Sequence, residues 1–324
     1  MTRLAISVAV AASTLLLAAP SLAADYFGSD APLRTGFANE DGSDLDNPLT
    51  FELGLRYWYS WGAQNFNLGS AALKDNDNAQ TVEGQFRIDD ASTNYYAKGL
   101  AGMSFDINGT QTGGPLGQPS TVTDGRIAYA GGDVGFSWLG NNPHAKFGPF
   151  AGYMYWNDSP NLGRSNYYPT PTSGNSQEDD VEVNALRLGL SGKVDLGENF
   201  DLTGEVAAVP YAKISGTLGA LGFAPTVTGA NTAVEPASAV GMDGWGYGAM
   251  AEAMVGFHPT DHMVLRFGGR AWYLQGKADE TFTENVLDTS GATPTVTRTQ
   301  DVISTANPWS LFRYGLLAEM SYSF

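Results

Sequence analysis

The sequence predicts an all-β chain: an antiparallel transmembrane β-barrel of about 10 strands, within a range of 8–12. Three observations carry this. The stretch LTFELGLRYWYSW places Leu49, Phe51, Leu53, Leu55, Tyr57, Tyr59 and Trp61 on every odd position, with Thr50, Glu52, Gly54, Arg56, Trp58 and Ser60 between them. Helical steps of about 100° would scatter the odd set around a cylinder, whereas a strand gathers it on one face. Segments with this alternation recur to Phe324. Their connections are alternately short and long, as in barrels that keep tight turns on one side of a membrane and loops on the other.

The chain opens MTRLAISVAVAASTLLLAAPSLAAD, with Arg3 before the apolar run Leu4–Ala19 and a small-x-small site at Ser21-Leu22-Ala23. This reads as a secretory signal peptide over 1–23, cleaved near Ala23. An acidic tail follows over 24–48, and the barrel over 49–324. No other stretch approaches the ~18 apolar residues of a spanning helix. Cysteine is absent, which excludes disulfides, thiolate chemistry and thiolate-held metals. Of the 17 Lys and Arg, Arg3 leaves with the signal, so 16 basic residues face 34 acidic ones. A charge this negative argues against nucleic acid, whose phosphates need basic patches.

The strands are read in order, each from its alternation. Leu49–Trp61 turns Glu52 and Arg56 inward; Thr81–Asp89 contributes Glu83, Arg87 and Asp89; Tyr95–Asp106 contributes Lys98. Gly125–Leu139 adds Asp133, while Lys146–Trp156 adds an inward Trp156 and contains Pro149, which predicts a bulge because it lacks an N–H. Val181–Leu196 supplies Arg187, Lys193 and Asp195; Phe200–Leu218 supplies Asp201, Glu205 and Lys213. Trp245–His258 brings Glu252, Met263–Gly276 brings Arg266 and Arg270, and Ser310–Phe324 brings Arg313 and Glu319. The long connections are expected over 62–80, 107–124, 157–180, 219–244 and 277–309, with room for a hidden extra hairpin in Lys277–Ser304.

The inward set balances, nine acids against nine bases. Each base on a lipid face near the midplane would cost about 2–4 kcal/mol, and nine on the order of 20 kcal/mol, so the ions belong inside. About ten strands enclose little space, which predicts a lumen packed by paired charges around Trp58, Trp156 and Trp272. Aromatics near strand ends form an expected girdle: Tyr57, Tyr59, Trp61, Phe136, Trp138, Tyr153, Tyr155, Trp245, Phe257, Tyr273, Tyr322 and Phe324.

Other candidate chemistry is weak. Asp261-His262 lies in PTDHM, where turn formation accounts for both residues. The acidic groups Asp41, Asp44, Asp46 and Glu178, Asp179, Asp180, Glu182 fit no calcium-loop spacing. The apolar loop run Thr217–Pro225 suggests packing over the barrel mouth. No catalytic, cofactor-binding or metal residue is assigned, and no cofactor is expected.

The ending EMSYSF, with Tyr322 and Phe324, resembles the signal read by the outer-membrane assembly machinery. The runs GLRYWYSWG, AKFGPFAGYMYW and VLRFGGRAWY resemble a family of alphaproteobacterial outer-membrane β-barrel proteins. Strand number and loop sizes are also similar to omptins, the ten-stranded surface proteases, whose activity relies on a His and acids at the outer rim. Here His144, His258 and His262 all sit at short turns, so no protease residue carries over. The barrel, its charge-filled lumen and its acidic loops predict an outer-membrane protein of a Gram-negative cell with a structural or surface-interaction role through those loops. Its partners would be membrane lipid and lipopolysaccharide, the assembly machinery, and a host or surface ligand. The alternative is a narrow passive porin for small solutes.

Overall fold

The computed structural model describes residues 48–68, 71–113, 120–122, 124–138, 144–161, 179–197, 199–218 and 226–324. The signal peptide and the tail up to residue 47 lie outside them. The strands are β1 (Leu49–Leu68), β2 (Ala71–Asp90), β3 (Tyr95–Gly113), β4 (Ser120–Thr121), β5 (Asp124–Phe136), β6 (Ala145–Asn161) and β7 (Asp179–Asp195). They continue as β8 (Phe200–Leu218), β9 (Thr226–Gly229), β10 (Thr232–Pro236), β11 (Gly241–Thr260), β12 (Met263–Asp288) and β13 (Thr295–Ser323).

All 13 belong to one antiparallel sheet, so the expected count of ten falls short. The surplus is β4, β9 and β10, short strands in the connections; β4 pairs with β3, and β10 with β12. The remaining strands follow one another round a ring. It closes where β1 meets β13, from Glu52↔Ser323 to Phe66↔Trp309. Two further bonds lock the seam, Phe51 N to Phe324 O at 3.1 Å and Phe324 N to Phe51 O at 2.9 Å. Closure removes the free edges that would template aggregation.

The turn 91–94 and the tight β11–β12 connection lie at the end that also holds both strand termini, here the turn end. Its opposite is the arm end, where the sequence reading needs correction. The connection expected over 62–80 is a continuous β1–β2 ladder out to Leu68↔Ala71. Likewise 277–309 is no extra membrane hairpin: β12 and β13 run on, paired from Glu280↔Ser304 to Asp288↔Thr295, as a projecting arm. Beyond a membrane the outer face of a strand meets water, and here the buried inner face carries Gln64, Asp75 and Asp77, so both faces are polar and Asp- and Asn-rich strand reads as loop. Pro149 also makes no bulge. It pairs in register with Leu190 in the β6–β7 ladder, and the β5 ladder stops one residue away at Gly135↔Phe150, so its missing donor leaves no gap.

The wall has two faces. Val82, Met103, Phe105, Val134, Leu188, Val206, Phe267 and Leu316 are all exposed on the outside. An apolar belt of that extent is foreign to a water-soluble monomer and is what a lipid-facing barrel presents. The aromatics expected as a girdle all lie on this outer face, exposed or half-exposed. Tyr59, Trp61, Phe312 and Tyr314 stack upon one another toward the arm end, Trp61 and Tyr314 at 5.5 Å. Phe51, Tyr322 and Phe324 do so at the turn end.

The lumen as candidate functional site

Cross-strand register assembles the interior. Arg56 stands opposite Glu83 on β2 and Glu319 on β13, and Glu319 stands opposite Arg266 on β12. Arg56 therefore pairs with Glu319, with Glu83 at 3.1 Å and with Glu252 at 3.4 Å. Arg270 reaches Glu83 at 2.7 Å and Glu252 at 2.6 Å; Arg266 reaches Glu52 at 2.6 Å and Glu319 at 2.5 Å. On the facing wall Arg187 holds Asp133 at 3.0 Å and Glu205 at 2.7 Å, and Lys98 pairs with the same two acids. Buried charges survive only when paired and hydrogen-bonded, and here each shares two or more partners.

At the turn end most charges become half-exposed: Arg87 pairs with Asp89 at 2.7 Å, Lys193 reaches the buried Asp201 at 3.1 Å, and Asp195 lies 3.7 Å from His144. A cavity of about 230 Å³ opens among Arg87, Lys98, Lys146, Lys193, Glu205 and Glu252. His258 Nε2 meets Asp201 at 2.8 Å, and His262 Nδ1 meets the Ser323 carbonyl at 3.1 Å. His144 and His262 lie in turn-end connections, and His258 near the turn end of β11.

Toward the arm end the filling turns aromatic. Trp272 packs edge-on against Trp58 at 4.8 Å, Tyr129 at 5.0 Å and Trp156 at 5.3 Å. The Arg270 guanidinium lies 5.0 Å from Trp58 and 5.1 Å from Trp272, and Tyr129 donates to Glu83 at 2.8 Å, which ties this layer to the ions below. Above it Arg313, fully buried, grips Asp77 at 2.9 Å and Asp158 at 2.8 Å. Phe66, Leu73, Val183, Ile214, Leu218, Leu274 and Leu311 complete an apolar layer. The expectation of a lumen packed by paired charges is thus corrected: ions fill one half, and aromatic and aliphatic side chains much of the other.

Lys213 is the one member of the inward set that the structure turns outward. It is half-exposed and pairs with exposed Asp243 at 3.1 Å. The β7–β8 register slips between Leu186↔Tyr211 and Leu188↔Ala208, a bulge around Pro210 that reverses the facing of everything beyond it. Asp75, Asp77, Asp158 and Asp179 were missed as interior residues, yet all four are buried. A signal existed for two of them: Asp75 and Asp77 continue the odd phase of Thr81 and Glu83. The expected nine-to-nine balance therefore fails at the arm end, where acids predominate. Burial, with Asp77 nearby, pushes the Asp75 carboxyl up to about 7; burial beside Asp75 raises that of Asp179 well above the carboxylate range. The cluster Asp179, Asp180 and Glu182 splits across the wall, Asp180 pairing with Arg126 at 3.3 Å and Glu182 accepting from Tyr155 at 2.7 Å. Among the described residues no three carboxylate or imidazole side chains converge on a metal position.

These features define a class: an antiparallel transmembrane β-barrel with its lumen filled by its own side chains. No protein-family model and no curated protein sequence matches the chain. Among solved structures it is similar to the translocator domain of the autotransporter NalP from Neisseria meningitidis, at 12% identity over 99% of this chain and 98% of that one, TM-score 0.34. It is also similar to the toluene transporter TodX of P. putida, at 11% identity over 86% and 90%, TM-score 0.30. The β domain of the Bordetella autotransporter BrkA gives 11% over 86% and 100%, TM-score 0.31.

Proposed function

We propose that the chain is an integral protein of a bacterial outer membrane, its turn end in the periplasm and its arms outside, serving a structural or surface-interaction role rather than conduction. One observation carries this: Trp58, Trp156, Trp272 and Tyr129 meet across the lumen directly above a multiply bridged ion-pair network, with Trp58, Trp156 and Arg313 fully enclosed. Barrels of about eight strands are filled by side chains in this way, whereas aqueous channels need about sixteen. The projecting arms then offer the exchangeable surface. Tyr322 and Phe324 on the seam strand suit recognition by the assembly machinery, in keeping with the resemblance to alphaproteobacterial outer-membrane barrels. No catalytic role is proposed, since the histidines pair with Asp201, Asp195 and a backbone carbonyl at the turn end.

Planar-bilayer recording tests this reading. Reconstituted protein is expected to give no steady step conductance; persistent channels in the nanosiemens range would establish the narrow porin instead.

A further inference from the structure

We infer that the outer wall over β8, β11 and β12 is a binding site for a phosphorylated, multi-acyl lipid of the outer leaflet, of the lipid A type. The inference rests on the outer-membrane reading above. Lys213, Trp245 and Lys277 lie in one cross-strand row, Trp245 paired in register with both lysines, all three outward and exposed. The bulge that turns Lys213 outward is what completes this row. Lys213 is shared with Asp243 at 3.1 Å, while Lys277 has no ion pair among the described residues. Strands lie about 4.8 Å apart, so the two ammonium groups flank the indole within reach of one phosphorylated headgroup.

Below this row, toward the membrane centre, the wall is hollow. Val206, Ala251 and Ala271 occupy one register row, and Gly204, Ala253 and Gly269 the next, so β8, β11 and β12 present almost no side-chain bulk. Leu190 bounds the hollow on one flank and Trp61, Tyr314 and Leu316 on the other, around an apolar groove of about 900 Å³. From Trp245 to Ala251 is six residues, about 20 Å of strand, which suits acyl chains descending from a headgroup held at the lysine row. Tyr247, Tyr273 and Gln275 form a hydrogen-bonded polar collar between the two, where a lipid's ester groups would sit. Elsewhere along this rim the outward groups include Asp106, Asp180 and Glu182, with Arg126 paired to Asp180, while in this sector Asp243 and Asp279 stand one row beyond the lysines. The groove and the lysine row that faces it together mark this sector.

Native mass spectrometry of the full chain in detergent, titrated with bis-phosphorylated hexa-acyl lipid A, tests this. One retained molecule is expected, with phosphatidylglycerol displaced. The double variant Lys213→Ala/Lys277→Ala should weaken retention about thirtyfold, near fivefold per lysine. Ala251→Phe, which fills the groove floor and leaves the lysines alone, should also abolish it. Equal retention of phosphatidylglycerol, or lipid A retention unchanged in either variant, would overturn the site. Heat-modifiable gel migration of each variant reports barrel folding separately, so loss of the barrel reading itself is visible as a missing folded band.

Discussion

Arg313 carries no exposed atom surface worth the name, and its guanidinium is held by Asp77, Asp158 and the Ser60 hydroxyl. Removing one partner of such a group leaves the others charged and dry, which costs about 3–5 kcal/mol. Arg313→Ala should lower unfolding stability in lipid vesicles by that amount, read by urea titration of tryptophan fluorescence. Lys213→Ala, by contrast, should change stability by under about 0.5 kcal/mol, because the side chain is outside, half-exposed and paired only with an exposed acid. A loss at Lys213 as large as at Arg313 would return it to the lumen. Asp75 gives a pH signature. Its carboxyl titrates near 7 when folded, well above an unfolded aspartate, so the folded state binds the extra proton between those values. Stability therefore falls as pH rises from about 4 to 7, and Asp75→Asn should flatten that slope. An unchanged slope would show that Asp75 does not titrate there.

At the scale of strands, legibility followed the solvent. Where one face of a strand meets lipid and the other meets packed ions, the alternation was readable, and Glu52, Arg56, Arg187, Arg266 and Arg270 could be placed inward from parity alone. Parity fails in two places. Beyond the apolar belt the outer face meets water while the buried inner face carries acids such as Asp75 and Asp77, so the outer reaches of β1, β2, β12 and β13 read as loops although their ladders are continuous. A bulge shifts parity with no change in composition, and only Pro210 hinted at the one that turns Lys213 around. The projecting arm follows from this reasoning as a separable unit. Its outer pairs, Phe282↔Val302 to Asp288↔Thr295, lie beyond the ladders that close the ring. Replacing residues 283–301 with a short Gly-Asn turn should leave heat-modifiable folding intact, and loss of the folded band would show that the arm supports the barrel.

For the whole molecule, the wall separates two solvents and the lumen is closed by its own contents. Lipid receives the apolar belt and aromatic girdle, while ionic side chains are confined to the axis, the arm-end surface and the turns. That separation explains how a chain with 34 acidic residues can enter hydrocarbon at all. The most direct test is a nitroxide scan along β8, measuring collision with lipid-dissolved oxygen at each position from 201 to 213. Contact should peak at 202, 204, 206 and 208, stay low at 203, 205, 207 and 209, and then change phase to peak at 211 and 213. An unbroken two-residue period through the bulge, or contact peaking at 203 and 205, would contradict the two-faced wall on which everything else depends.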